Sequence, residues 1–200
     1  MIIATVLAAL VGAALYRLRG GGFSAMSRAV GWQWGGQQRT QTMRLLWSLP
    51  TSLLWAFALN LSWLVTLELV VSTFAGLALL GHGAHMVFDS KYFVEHSKNK
   101  TELLTGFWLP HLFGGIPDST WNHNRVAAYN IIGMSSIGLA RCLITVTPLL
   151  VAGETIPAAI YAASGLLHGP LYWAGWRING SSATSECLVG AVSWALIINL

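Results

Sequence analysis

"IIATVLAALVGAALYRLRGGGF", residues 2–23, decides how the rest of the chain is read. Fourteen uncharged, almost wholly apolar residues, Ile2 to Leu15, run directly into a tyrosine, two arginines and three glycines. The run lacks the alternation of a strand, and in lipid such a segment satisfies its backbone as a helix. Arg17 and Arg19 then stand where a helix leaves the hydrocarbon and meets lipid phosphate. No basic segment precedes the run and no small-residue cleavage site lies before Arg17, so the first span is expected to be retained.

The whole composition points the same way. Of 200 residues, 54% are hydrophobic and 9% charged, whereas soluble domains carry about 25% charged residues. The expectation is an all-α, polytopic membrane helix bundle, with residues 1–200 forming a single integral membrane domain. A net charge of +4 raises the question of nucleic acid, but the 11 basic residues are scattered among apolar runs and make no binding face. Nucleic acid is therefore excluded as a partner. The basic excess records orientation in the membrane. Cys142 and Cys187 lie in apolar segments without a C-x-x-C pair, which suggests buried thiols rather than a disulfide framework or a cysteine metal site.

Apolar runs at about 2–16, 44–60, 62–81, 126–152, 156–175 and 186–200 predict six spans. A further stretch, 103–121, is apolar over about a dozen residues and contains Pro110, His111 and a Gly-Gly pair. At that length it reads as re-entrant or interfacial, with seven spans if 103–116 crosses. Charge chooses between the two. With six spans, Arg17, Arg19, Arg28, Arg39, Arg44, Lys91, Lys98, Lys100, Arg125 and Arg177 all share one side. The positive-inside rule makes that side, with every long polar loop, cytoplasmic and puts both termini opposite. Tryptophans near the proposed span ends fit interfacial belts.

Several polar groups stand out as candidates for chemistry. In "GHGAHMVFD", 81–89, His82 and His85 are three apart and Asp89 follows four later, one face of a continuing helix. Two imidazoles and a carboxylate can ligate a divalent metal, Zn or Fe, and leave positions open for water or substrate. The competing reading is a pair of interfacial histidines at a helix end. In "DSTWNHNR", 118–125, His123 offers an acid or base and Arg125 a cation. There the alternative is a polar helix start capped by Asp118 or Asn122. Within the spans lie Glu68, Arg141 and His168, expensive at bilayer depth and therefore expected to face protein or water. Glu68 and Arg141 are candidates for an ion pair or for a transport path.

The arginine–glycine stretch suits an anion. Guanidinium clamps phosphate oxygens bidentately, and Gly20, Gly21 and Gly22 permit the backbone to turn its N–H groups inward as a nest. Arg177, followed by "INGSS", offers a second wall. The same residues also serve as a plain topology signal and helix stop. Elsewhere "AASG", 162–165, resembles the G-x-S-G nucleophile motif of rhomboid intramembrane proteases over four residues. Ala162 replaces the first glycine and no histidine follows His168, so the resemblance implies no catalytic role for Ser164.

Together these residues predict a membrane enzyme with a cytoplasmic-face site for a phosphorylated or acylated lipid, performing transfer or hydrolysis. Arg17, Arg19, Gly20, Gly21, Arg125 and Arg177 would bind the substrate, and His82, His85, Asp89 and His123 would carry the chemistry. A transporter using Glu68, Arg141 and His168, or a non-catalytic membrane partner protein, are the competing classes.

Overall fold

The computed structural model describes residues 1–17, 36–88, 120, 122–179 and 182–200, with the backbone alone at 36–41, 43, 81–88, 123, 126, 176, 179, 182 and 183. Among the described residues the protein is all-helical, without a strand. The helices are α1 (Ile2–Arg17), α2 (Gly36–Leu59), α3 (Trp63–Phe88), α4 (His123–Val151), α5 (Thr155–Ser164), α6 (His168–Asn179) and α7 (Ser182–Asn199).

The apolar run expected at 156–175 is divided. A 3-10 turn, Gly165–Leu167, separates α5 from α6 just before Pro170. Proline lacks the N–H that would bond to the carbonyl four residues back, here Leu166. That carbonyl instead accepts from the Ser135 hydroxyl of α4 at 2.7 Å, so the helix break is satisfied by a neighbour. Pro50 and Pro148 lie inside α2 and α4 without interrupting them. The α2 helix starts eight residues before its apolar run, over "GQQRTQTM".

The packed helices run antiparallel, with α5 and α6 continuing in one direction across their break. The turn Asn60–Ser62 folds α3 back on α2. Ser72 of α3 donates to the Thr145 carbonyl of α4 at 2.9 Å, and Gly76 faces the Arg141 backbone, so numbers rise on one helix as they fall on the other. Gly138 of α4 crosses Gly165, and Gly175 of α6 lies on Ser185 of α7. The first and last helices meet in the same sense: the Asn199 amide donates to the Thr5 hydroxyl at 3.0 Å, and Gly12 sits on Gly190. A Cβ at Gly12 would fall 2.6 Å from the Gly190 carbonyl oxygen, so only glycine allows this approach.

Aromatic side chains fill the interior. Tyr16, Trp47, Trp55, Tyr129 and Tyr161 are essentially inaccessible. Trp47 lies edge-on to Tyr16 at 4.7 Å and tilted against Trp194 at 5.5 Å, joining α1, α2 and α7. The Trp194 indole donates to the Thr51 hydroxyl at 3.1 Å, the buried polar partner such a ring requires.

Two stretches, Trp63–Leu80 and Ala127–Val151, are long and apolar enough to cross a membrane, while Ile2–Arg17 and Thr184–Asn199 are apolar but shorter. Among the described residues, two of the six expected spans therefore meet the length and hydropathy required. The others fall short for local reasons: α1 and α7 are brief, α2 begins with a polar turn, and α5–α6 is broken.

Candidate functional site

The antiparallel pairing sorts the polar residues by height. The ends of α1, α3 and α6 come together with the starts of α2, α4 and α7. At this end Arg17 closes α1 and Arg177 closes α6, each in the last turn, where the helix dipole favours a cation. Arg125 lies in the first turn of α4, where the dipole favours an anion instead. Arg17 and Arg177 are exposed and Arg125 is half-buried. Glu186, buried at the start of α7, and Arg17 both act on Cys187, so a carboxylate accompanies the arginines. The structure thus brings Arg17, Arg125 and Arg177 to one end.

The start of α4 has the cap its sequence suggests. The Asn122 side chain accepts from the Arg125 backbone N–H at 2.9 Å, with Asn122 itself extended. His123 is the first helical residue beyond it. The α3 backbone remains helical through His82 and His85 despite Gly81 and Gly83, as the three-residue spacing requires. Their side chains, with that of His123, lie outside the described residues, as do Asp89, Arg19, Gly20 and Gly21. Among the described residues no three His, Cys, Asp or Glu side chains gather to hold a metal ion.

The three candidates expected within spans separate. Glu68 is exposed on the outside of α3, while Arg141 is wholly buried. Arg141 lies level with Gly76, two turns along from Glu68, and the two form no ion pair. His168 is 2% exposed and packs on Gly138 where α4 crosses the broken helix. The interior therefore receives Arg141 and His168 but not Glu68.

Around Arg141 the structure adds residues that sequence reading passed over. Its Nη1 donates to the Tyr161 hydroxyl at 3.1 Å and to the Cys142 sulfur at 3.2 Å. The guanidinium carbon stands 5.7 Å from the centre of the Tyr161 ring, within cation–π range. Trp55 meets that ring edge-on at 5.3 Å, and Ser193 of α7 sits against the Tyr161 hydroxyl. No spacing in the sequence announces this group, because its members come from four helices. Glu186 was passed over as well, although it opens the apolar run 186–200. No family model, curated protein or solved structure matches the chain.

Proposed function

We propose that this protein is an integral membrane bundle of six spans whose arginine-bearing end faces the cytoplasm and binds the headgroup of a phosphorylated or acylated lipid. The observation that carries this reading is the convergence of Arg17, Arg125 and Arg177 at one end, where the N-termini of α2, α4 and α7 add their positive dipole ends. Guanidinium groups among helix N-termini favour a phosphate or carboxylate headgroup over a neutral one. The membrane part is supported by the outward faces: Phe57 is 80% exposed, and Leu53, Trp63, Val71 and Ile156 are likewise open. Only 28% of Trp63–Leu80 is buried, unlike the core helix of a soluble protein. Apolar side chains presented outward around several helices suit hydrocarbon rather than water. In the same reading His82, His85 and His123 are the acid–base candidates for transfer or hydrolysis of the bound lipid.

The test is binding of the purified full chain to phosphatidylglycerol vesicles, with phosphatidylcholine vesicles as the reference. A surface cation contributes about 1 kcal/mol to anionic-lipid attraction, so the combined Arg17→Gln, Arg125→Gln, Arg177→Gln variant should bind about a hundredfold more weakly. Unchanged affinity would remove the reading. Alanine at His82 should leave lipid binding intact while stopping turnover of the bound lipid.

A further inference from the structure

We infer that the interior of the bundle holds a small monovalent anion of halide size on the Arg141 guanidinium. Arginine is always protonated and offers five N–H donors. Nη1 is used on Tyr161 and Cys142, whereas Nε and Nη2 are fully buried and have no acceptor. The three carboxylates among the described residues do not compensate this charge. Glu68 is on the outside, Glu154 is at the turn after α4, and Glu186 sits with Arg17 and Cys187.

A neighbouring group adds a further donor. The Trp55 indole N–H, beside the same Tyr161 ring, is buried without a partner, and an indole can only donate. Tyr161 accepts from Nη1 and shares a hydrogen bond with Ser193, so its hydroxyl is engaged and does not serve Nε or Nη2. A buried, uncompensated cation carries a heavy desolvation penalty. A neutral acceptor such as water satisfies the N–H groups but leaves the charge, whereas an anion answers both. Size follows from burial: packing closes off both Nε and Nη2, which leaves no room beside them for a group as large as a phosphate. The site differs from the lipid reading in place and ligand. Loss of lipid binding would leave it standing, and its failure would leave the lipid reading standing.

Thermal unfolding of the purified full chain in sodium bromide, against sodium gluconate at equal ionic strength, tests it. The wild type should show a saturable rise in midpoint of about 5–10 °C at a hundredfold excess of bromide over its dissociation constant. Arg141→Met removes the charge at similar length and should unfold at a midpoint independent of bromide. No response in the wild type, or an equal response in Arg141→Met, overturns the proposal. Should that variant fail to fold, crystals of the wild type grown in bromide decide: anomalous density within hydrogen-bond reach of Nε or Nη2 sustains the site, and its absence there refutes it.

Discussion

At one end of the bundle the chain reverses twice within three residues, at Asn60–Ser62 and at Ala152–Glu154, and neither turn carries a lysine or arginine. Both reversals use one device. Asn60 takes φ 53 and Gly153 φ 88, and the residue after each bonds back five positions, Leu61 to Ala56 at 3.1 Å and Glu154 to Leu149 at 2.9 Å. This is the Schellman closure, which satisfies the last helical carbonyls from within the backbone itself. At the opposite end α1 and α6 finish on arginines, and α4 starts on an asparagine cap followed by Arg125. The difference teaches that one end is closed by the chain's own main-chain bonds, while the other presents charge to its surroundings. A helix bundle needs closed ends for folding alone; collected arginines serve orientation and, in the reading proposed above, a ligand.

The largest effect that would break this comparison concerns sidedness. Alkaline phosphatase, active only outside the cytoplasm, should be active when fused after Ser62 or Gly153 and inactive when fused after Lys98 or Arg177. Equal activities at the two ends would dissolve the distinction. A fusion near Asp118 separates six spans from seven, since activity there would mean that 103–116 crosses.

A second effect concerns how Arg17 reaches the basic end. It is carried there by α1, which docks through Gly12 and Gly190. Overpacking a tight contact typically costs about 1–3 kcal/mol. Gly190→Val should therefore lower unfolding stability by about that amount in chemical denaturation and weaken phosphatidylglycerol binding as α1 loses its seat. Full wild-type stability would mean that the two helices do not meet at these glycines.

The smallest effect compares the helix starts. Asn122→Ala should cost about 1 kcal/mol, because it removes a 2.9 Å bond to the Arg125 N–H. Ser62, which caps α3 at the turn end, reaches the Val65 N–H at 3.4 Å. Ser62→Ala should cost less in the same denaturation experiment, at the low end of the cap range, about 0.5 kcal/mol.

Much of the helical layout was legible. The runs at 2–16, 62–81, 126–152 and 186–200 correspond closely to α1, α3, α4 and α7, because a long apolar stretch has few ways to satisfy its backbone. The polar start of α2 was not legible, since "GQQRTQTM" has no apolar signal, although its glutamines are good helix formers. The break at Gly165–Leu167 depends on Ser135 of another helix accepting the role of donor to Leu166, which no local pattern announces. Among site residues, the Asn122 cap could be read locally. The separation of Glu68 from Arg141 could not, because which face of a uniformly apolar helix turns inward is set by its neighbours.

By itself the sequence determined the helical class, the outward apolar character and the uneven distribution of arginines, all of which are properties of single segments. The tertiary structure alone decided which cation is buried and with what company. Arg141 meets Tyr161, and Tyr161 in turn meets Trp55 and Ser193, because α4, α5, α2 and α7 converge at one level. That convergence is set by glycine contacts such as Gly76 on Arg141 and Gly138 on Gly165. Packing at van der Waals distance, rather than residue order, sets the register of one helix against another, and register is what places a buried charge.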